Sequence, residues 1–432
     1  MLTIFSFLFV LGVLVFVHEL GHFLVARLYG VRVITFSLGF GLKIFKFNRG
    51  GTEYCVSLIP LGGYVKLAGE TVEETRTGAP DEFLSKSKWI RFQVYIAGPV
   101  MNILLAIIVL AGVLSRGADV PLYESSAPVV GNVMVGSPAE GAGLKVGDRI
   151  VSVDGRETPT WDELNLAVVP KAGRPLAIVA VRDDKRLDVT VTPNSLGKYE
   201  IGDLGIRPVY RPVVMQVNPR TPAERAGVRR GDIVLGINDE RALTQDKIIA
   251  RIRASANTAV TLHIERDGAD VPLSVTPEGA AGAAVIGVSL NPYEVRRIDP
   301  TLPQAIQMSL KQNWDNTVLI GRTLRGLFTR ETPMRQLMGP VAIAEMSGNA
   351  ARFGGWLAIF NLMAMISLNL GLLNLMPVPV LDGGQIAILA VEGLARRDLS
   401  ARIKERILMA GAALIVMLMV TVIYNDIARL LR

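Results

Sequence analysis

The sequence contains a single cysteine and only three histidines in 432 residues. Because Cys55 has no second thiol to pair with, an intramolecular disulfide is excluded, and we interpret Cys55 as a small residue within a strand. The histidines are His18, His22 and His263. Half of the residues are hydrophobic, yet charged residues still make up 20%. This balance indicates a membrane protein that also carries water-exposed domains, since spans alone would contain far fewer charges.

Four apolar stretches are long enough to cross roughly 30 Å of hydrocarbon as helices. They cover about residues 2–26, 93–115, 356–376 and 407–424. The first is not typical of a signal peptide, because it lacks a basic leading segment and is followed by Arg27 and Arg32 rather than by small residues. We therefore expect a polytopic α-helical membrane protein with four transmembrane helices.

Lysine and arginine are concentrated in two segments, residues 27–91 and residues 396–406. The positive-inside rule makes both segments cytoplasmic and places residues 116–355 on the outer side, which is the periplasm of a Gram-negative cell. Most of the net charge of +7 is then a feature of this topology. For that reason we expect contact with the lipid bilayer and no nucleic-acid partner.

His18, Glu19 and His22 form a His-Glu-Leu-Gly-His motif within the first apolar stretch. On a helix the two histidines lie one turn apart on the same face, so both can reach one metal ion while the glutamate lies beside its bound water. A chance match would have to place three ionisable side chains in a lipid-facing run, where each costs roughly 2.5–3.5 kcal/mol. The motif therefore predicts a zinc site, near the cytoplasmic side because it occupies the last third of the span.

Two histidines do not complete a catalytic zinc site, which normally has three protein ligands and a water. His263 falls in the outer region, so a carboxylate near the same membrane depth is needed. Asp382 is embedded in apolar sequence with two prolines and two glycines, and irregular backbone of this kind is tolerated in a membrane where it lines a cavity. Anchoring of a loop is the alternative role for Asp382. Glu392 is a weaker candidate ligand, because we expect it in a basic, exposed loop.

The outer region contains an internal repeat, in which residues 137–148 align without gaps on residues 221–232. Apolar strands are expected at 129–135, 176–181, 213–217 and 260–264, and short helices at 160–168 and 244–253. The shared Pro-Ala-x-x-Ala-Gly-(Leu/Val)-x-x-Gly-Asp pattern resembles that of bacterial PDZ domains. The resemblance implies two inserted, circularly permuted PDZ domains.

PDZ domains bind an extended peptide at a sheet edge, often with its C-terminal carboxylate held by backbone amides. Each repeat ends in a glycine flanked by apolar residues, and these two loops are our candidates for that role: Leu204, Gly205 and Ile206, and Ile286, Gly287 and Val288. The alternative interpretation is that both glycines are ordinary glycines within strands. A further alternative is that the PDZ pair only keeps folded proteins away from the membrane site.

Residues 31–67 alternate apolar stretches with glycine clusters at 39–41, 50–51 and 62–63, which predicts hairpins. The apolar stretches are 31–37, 42–47, 54–58 and 64–67. Such a sheet, placed just after the histidine motif, would dip into the cytoplasmic leaflet and offer an edge to an extended substrate. A plain cytoplasmic linker domain is the alternative. Further along, the near-helical spacing of apolar residues after Thr301 predicts an amphipathic helix, on the outer membrane surface or beneath the repeats.

The whole chain resembles the site-2 protease family of intramembrane zinc metalloproteases. The resemblance is carried by the histidine motif, the tandem repeat after the second span, and the pattern Asn374-x-x-Pro-x-Pro-x-Leu-Asp382-Gly. It implies that His18, His22 and Asp382 bind one Zn²⁺ per chain and that Glu19 is the general base.

The same resemblance implies which residues hold the substrate. Asn374, with Asn369, is expected to bind it, and Gly39, Phe40 and Gly41 match a loop of the family's membrane-associated sheet. The implied activity is endopeptidase cleavage of single-span proteins already trimmed on the periplasmic side. An anti-sigma factor and leftover signal peptides are the implied substrates, within an envelope stress response at the bacterial inner membrane. A non-catalytic PDZ adaptor that binds the C-termini of misfolded envelope proteins is the alternative function.

These interpretations predict the following organisation. The segments are 1–27 (first span with the motif), 28–92 (cytoplasmic-side, membrane-associated β-hairpin sheet and loop), 93–115 (second span), 116–208 and 209–292 (PDZ domains), 293–352 (amphipathic helical linker on the outer face), 353–384 (third span with the aspartate), 385–405 (cytoplasmic loop) and 406–428 (fourth span).

Overall fold

The structure, a computed structural model, describes residues 2–70, 78–197, 200–241, 243–280, 282–329, 332 and 337–430. Residues 71–77 of the predicted first loop, and 330–331 and 333–336 of the predicted linker, lie outside these ranges. The helices are α1 (Leu2–Leu28), α2 (Lys88–Leu114), α3 (Pro138–Gly141), α4 (Trp161–Val168), α5 (Pro222–Arg225), α6 (Gln245–Ala254), α7 (Leu302–Phe328), α8 (Pro340–Asn349), α9 (Gly355–Asn374), α10 (Asp382–Leu394) and α11 (Ala401–Leu430).

The strands fall into three groups along the chain. They are β1 (Val33–Arg49) and β2 (Thr52–Leu67); then β3 (Ala118–Pro121), β4 (Asn132–Val133), β5 (Arg149–Val153), β6 (Arg156–Glu157), β7 (Leu176–Arg182), β8 (Lys185–Val191), β9 (Asn194–Leu196), β10 (Ile201–Asp203) and β11 (Ile206–Arg207); then β12 (Val213–Val217), β13 (Ile233–Ile237), β14 (Glu240–Arg241), β15 (Val260–Arg266), β16 (Ala269–Val275), β17 (Val288–Asn291) and β18 (Val295–Ile298).

The chain divides into two compact units. The first, called the helical unit here, comprises Met1–Gly117, Asp299–Arg322 and Leu337–Arg432. The second, the repeat unit, comprises Ala118–Ile298 and Thr323–Gln336.

The helical unit contains four helices that are long and apolar enough to cross a membrane, among the residues that the structure describes. They are Leu2–Leu28, Lys88–Leu114, Gly355–Asn374 and Ala401–Ala428, so the four predicted apolar stretches are confirmed as helices. Their ends differ from the prediction. Helix α2 begins at Lys88 because the Ser87 side chain accepts the Ile90 N–H and caps the helix. Helix α9 ends at Asn374, so the aspartate predicted within the third span begins the separate helix α10.

The predicted loop 385–405 is wrong. Helix α10 covers its first half, and α11 begins within its second half, at Ala401. Glu392 is consequently fully buried rather than exposed, and its Oε1 accepts from Lys404 Nζ at 2.7 Å and from the Leu399 N–H at 2.9 Å. The apolar run before Glu392 favours a packed helix, which overrides the basic composition of the segment.

Close approach of α1, α2 and α9 depends on two glycines. A Cβ at Gly21 of α1 would lie 2.8 Å from the Ala97 backbone carbon of α2, and one at Gly371 of α9 would lie 2.9 Å from the Pro99 carbonyl oxygen. Small residues allow membrane helices to pack this closely. Helix α2 is therefore sandwiched between the helix that carries the histidine motif and the helix that precedes Asp382.

Strands β1 and β2 pair with each other in a repeatedly shifted register, so the predicted hairpins belong to one sheet. Residues 35–38 pair with residues 63–66 on one side and with residues 53–56 on the other, while residues 43–49 pair with residues 52–57. The four predicted apolar stretches are thus four adjacent segments of one sheet. Segments 43–49 and 63–67 are its edges.

The repeat unit contains two copies of one α+β arrangement. In the first copy the sheet order is β6-β5-β7-β8; in the second it is β16-β15-β13-β12-β17, with β14 paired to β13. Each copy encloses its own apolar core, centred on Ile150 and Ile178 in one and on Val234 and Ile264 in the other. The predicted strands at 176–181, 213–217 and 260–264 and both short helices are confirmed.

Two predictions for the repeat unit are wrong. The strand expected at 129–135 is reduced to Asn132–Val133, because Val129 forms only an isolated bridge to Arg149. The boundary between the second repeat and the linker is also displaced. Residues expected at the start of the linker form β18, which pairs with β3 and joins the two ends of the repeat unit.

A buried carboxylate explains the Gly-Asp end of the repeat motif. Asp148 and Asp232 are almost completely buried, and each accepts two hydrogen bonds from one arginine, Arg182 or Arg266, at 2.6–2.8 Å. The same arginines also donate to the Gly143 and Gly227 carbonyls, respectively. The Arg182 guanidinium holds the pKa of the Asp148 carboxyl below its usual value. The motif therefore encodes a structural anchor that is repeated in both copies.

Candidate metal centre

Helix α1 brings the three motif side chains together near its C-terminal end. His18 and Glu19 are each only 9% exposed, and the two imidazole rings lie 4.9 Å apart between centroids. His22 is six residues from the last residue of α1, a distance of roughly 9 Å along the axis. The predicted juxtaposition of two histidines and a glutamate on one helix is thus present.

Asp382 reaches this motif because the chain turns sharply between α9 and α10. The turn has close backbone approaches, so that a Cβ at Gly384 would lie 2.6 Å from the Val378 backbone carbon. Val380 adopts φ +93°, a conformation that is strained for a β-branched residue. The two glycines and the strained valine together place the first residue of α10 against the histidines.

The three side chains meet the geometric requirement for a tetrahedral zinc. The Asp382 carboxylate oxygens lie 3.2 Å from His18 Nε2 and 3.5 Å from His22 Nε2, and the two Nε2 atoms are 3.3 Å apart. Ligand atoms about 2.0–2.1 Å from a tetrahedral zinc are separated by about 3.3 Å. One zinc ion therefore fits between these donor atoms, the one cluster of this kind among the described residues.

Helix α2 orients the two imidazoles, a role that sequence reasoning did not predict. His22 Nδ1 lies 2.7 Å from the Val94 carbonyl oxygen, so Nδ1 carries the proton and Nε2 is left as the metal-binding atom. His18 Nδ1 lies 3.2 Å from the Asn102 amide. Between these contacts, a Cβ at Gly98 would lie 2.8 Å from His18 Cε1. An isolated Asn102 in an otherwise apolar run was the signal that the sequence offered.

The 63–67 edge of the β-sheet lies beside Glu19. The Val65 backbone N–H faces the Glu19 carboxylate. A Cβ at Gly63 would lie 3.0 Å from Glu19 Cγ, so this edge approaches α1 as closely as its backbone permits. The arrangement places an open strand edge next to the carboxylate of the motif.

The Gly-Phe-Gly loop lies over the same edge. Gly39 and Gly41 have φ +90° and +85°, and a Cβ at Gly39 would lie 2.7 Å from the Ile59 carbonyl oxygen. Phe40 stacks on Tyr64 with ring centroids 6.1 Å apart. The loop is therefore shaped by close backbone contact and holds an aromatic ring against the edge segment.

The two predicted substrate-binding asparagines of α9 lie on different sides of that helix. Ser367 and Gly371 face α2, through a hydrogen bond to the Asn102 carbonyl oxygen and through contact with Pro99. Asn374 is seven residues after Ser367 and lies within about 20° of it around the helix, whereas Asn369 is about 160° away. Of the two, only Asn374 shares the α2-facing side of α9.

The candidate carboxylate loops of the repeats are turns rather than strand interiors. Gly205 and Gly287 have φ +78° and +83° and occupy the same position in the two copies, against Ser137 and Thr221 respectively. The apolar neighbours predicted with them, Leu204, Ile206, Ile286 and Val288, belong to or pack against the two repeat cores. Only backbone amides of these loops are left to meet a ligand.

The two loops differ in one contact. The Gly205 N–H donates to Asp203 at 3.0 Å, and Asp203 is also paired with Arg207. The arginine lowers the pKa of the Asp203 carboxyl. Val285 stands at the equivalent position of the second repeat and is 56% exposed. Among the residues that the structure describes, an internal carboxylate thus occupies the turn amide of the first repeat and not that of the second.

The fold and the site define a membrane metallopeptidase, and comparison with known proteins agrees. The model of peptidase family M50 matches residues 6–418, and the chain belongs to this family, whose members are zinc-dependent proteases of the site-2 type. The chain is similar to the regulator of sigma E protease of Salmonella typhi, with 36% identity covering 98% of each protein. It is also 34% identical, over 100% of this chain and 99% of the other, to a protein of Ralstonia nicotianae whose name describes it as a zinc metalloprotease.

Among solved structures, a PDZ domain of an SdrC-like protein from Listeria monocytogenes aligns with 19% of this chain and 85% of its own length. The TM-score is 0.18 and the identity 23%.

Proposed function

We propose that the chain cleaves peptide bonds of membrane-spanning proteins within the bilayer, with His18, His22 and Asp382 as zinc ligands and Glu19 as general base. The observation that carries the proposal is the set of three donor atoms at zinc-ligand separations, directly beside a buried glutamate at the end of an apolar helix. When bound, zinc polarises the scissile carbonyl and lowers the pKa of its bound water to roughly 7.

The residues of this chain supply the proton transfers and the orientation. Glu19 takes the proton of the attacking water onto its carboxylate and passes it to the leaving amine. The Val65 N–H faces that carboxylate and favours its charged form. The Val94 carbonyl fixes His22 with its Nε2 toward the site. These contacts pre-orient the base and one ligand before a substrate arrives.

Substrate binding is proposed at the 63–67 edge of the sheet. A helical substrate hides its carbonyls in internal hydrogen bonds, so cleavage requires an extended segment, and an open strand edge binds such a segment by strand addition. Asn374 and the Gly39–Gly41 loop are proposed to hold the substrate at this edge. The exposed apolar residues of the sheet, including Leu42 and Ile44, support its contact with lipid.

We also propose the substrate, the membrane orientation and the role of the repeat unit. The name of the Salmonella relative supports an anti-sigma factor as substrate, trimmed on the periplasmic side, in an inner-membrane envelope stress response. The basic ends of the helices support a cytoplasmic position for the metal centre, because Arg27, Lys88 and Arg91 lie at the same ends as His22 and Val94. The repeat unit, as a PDZ pair in the periplasm, either binds peptide C-termini or excludes bulky proteins.

Glu19→Gln tests the function. Cleavage of a single-span reporter in reconstituted vesicles should fall at least about 10³-fold, because the amide cannot accept the water proton. Zinc content should remain at one ion per chain, since Glu19 is not a ligand. Glu405→Gln, an exposed glutamate of α11, is the matched control and should cleave normally. Full cleavage by Glu19→Gln would reject the protease mechanism and favour the adaptor function.

A further inference from the structure

We propose that Asn102 of α2 is a positioning residue for the metal centre: its side-chain oxygen accepts the Nδ1–H of His18 and so presents His18 Nε2 to zinc. The inference rests on the ligand set proposed above. It concerns a residue outside the histidine motif and outside the aspartate segment.

The first support is a buried acceptor in need of a partner. Asn102 is 0% exposed, its amide lies 3.2 Å from His18 Nδ1, and its Oδ1 has no hydrogen-bond partner among the described residues. The amide nitrogen and oxygen have nearly the same shape, so rotating the amide by 180° exchanges them without moving the side chain. After the exchange the unpaired oxygen faces His18 Nδ1.

The chemistry of the imidazole selects the exchanged orientation. If the amide nitrogen donated to His18 Nδ1, the single proton of the neutral ring would sit on Nε2, and that nitrogen could not bind a metal. The Asn102 oxygen would also stay buried without a donor, which costs about 1–3 kcal/mol. With the oxygen toward Nδ1, the Asn102 Oδ1 accepts the Nδ1–H of His18, and His18 Nε2 points its lone pair toward Asp382.

The second support is the placement of α2 residues. Val94, Gly98 and Asn102 recur every four residues and therefore form one stripe of the helix. Val94 supplies the acceptor for His22, Gly98 leaves room for both rings, and Asn102 faces His18. The stripe thus carries one acceptor for each imidazole.

The third support is the anchoring of Asn102 itself. Ser367 Oγ of α9 donates to the Asn102 backbone carbonyl at 2.7 Å, and Gly371 allows α9 to approach within contact of Asn102 Cβ. The depth of the side chain is therefore fixed by a second helix. Such support is what holds a ligand-orienting group to a fraction of an ångström.

The test measures zinc affinity of the full-length protein in detergent, by competition with a chromogenic chelator. Asn102→Leu removes the acceptor at similar volume and should weaken zinc binding about 10–100-fold. Asn102→Asp keeps an acceptor and should bind within about 3-fold of the unchanged protein. Asn313→Leu, at another buried amide of the helical unit, is the matched control and should bind normally. Cleavage by Asn102→Leu should recover with excess zinc, which a merely structural defect would not do.

Wild-type zinc affinity in Asn102→Leu, or an equal loss in Asn102→Asp and Asn102→Leu, would overturn the inference. If Asn102→Leu does not fold, Asn102→Ala replaces it with the same expected loss. His18→Phe separates this inference from the proposed function. Loss of zinc in His18→Phe with full binding in Asn102→Leu or Asn102→Ala rejects only the role of Asn102, whereas unchanged binding in His18→Phe rejects the ligand set itself.

Discussion

Both units of the molecule bury carboxylates beside nitrogen-containing side chains, but the partners differ. In the repeat unit, Asp148 and Asp232 each face an arginine that donates two hydrogen bonds, and a backbone N–H completes the set. In the helical unit, Asp382 faces the Nε2 atoms of two histidines, one of which has its proton directed to a backbone carbonyl. A carboxylate surrounded by hydrogen-bond donors has its oxygens satisfied. A carboxylate that faces nitrogen lone pairs needs a cation between them. The first arrangement stabilises a fold, and the second fits the proposed metal centre.

Removing one imidazole of the helical unit should produce the largest change in bound zinc and in cleavage. His22→Phe should reduce bound zinc from about one ion per chain to almost none and cleavage by at least about 10³-fold. Asp382→Ala should weaken zinc binding as well. Metal analysis by mass spectrometry measures both. His263→Phe, which changes the one histidine of the repeat unit, is the control, and zinc loss in that variant would contradict the ligand set of His18, His22 and Asp382.

Disturbing the strand edge next to Glu19 should have the next largest effect. Tyr64→Pro lies in the 63–67 segment and should lower cleavage about 10-fold or more with zinc retained, because proline disrupts a ladder that an extended substrate would join. Phe45→Pro lies on the opposite edge, so the structure predicts a smaller loss there. Sequence reasoning predicts loss of cleavage from proline at Phe45 or Val56. A larger loss in Phe45→Pro than in Tyr64→Pro would place substrate on the other edge.

Removing a charge from the repeat unit should change stability and leave the metal unaffected. Asp148→Asn and Asp232→Asn should each lower the free energy of unfolding by about 2–3 kcal/mol, since each leaves a paired arginine without its carboxylate. Denaturant unfolding followed by circular dichroism measures the change, and zinc content is the control. Loss of zinc would show that these pairs also support the site.

The pair of Asp148 and Arg182 predicts that the free energy of unfolding depends on pH. Because the pKa of Asp148 is lowered in the folded state, its contribution is fully present above the unfolded value of about 3.9 and is lost as the pH falls through the folded value. The stability difference between Asp148→Asn and the unchanged protein should therefore vanish at strongly acidic pH. A difference that persists there would assign the effect to packing.

The smallest expected effect concerns the two loops of the repeat unit. If the turn amides hold a peptide carboxylate, the second repeat should bind C-terminal peptides more tightly, since Asp203 occupies the amide of the first. Val285→Asp should weaken binding by a few-fold, and Asp203→Ala should strengthen it by a similar factor, as measured by isothermal titration calorimetry. Equal binding in both variants would favour a role for the repeat unit in excluding bulk.

Sequence reasoning named the candidate site residues that depend on local spacing. His18, Glu19 and His22 lie within about one helical turn, and Asp382 was named because a carboxylate was required and apolar sequence surrounded it. The contribution of α2 was not predicted, because which helix packs against α1 is decided by glycine contacts that spacing does not reveal. The burial of Glu392 was missed because its partner Lys404 lies in another helix, and spacing does not reveal that contact. The four sheet segments were predicted, but their lateral order is set by long-range pairing.

The proposed metal centre draws its residues from separate helices, and this has a thermodynamic consequence. The ligands belong to α1 and α10, and α2 orients the imidazoles. Zinc bound to this assembly favours the packed arrangement over any in which one helix has moved, by about 2.7 kcal/mol when free zinc is 100 times its dissociation constant. By reciprocity, if a substrate that shifts α2 weakens zinc binding by a given factor, bound zinc weakens the binding of that substrate by the same factor. The occupancy of the metal is thus a direct measure of how these helices are packed.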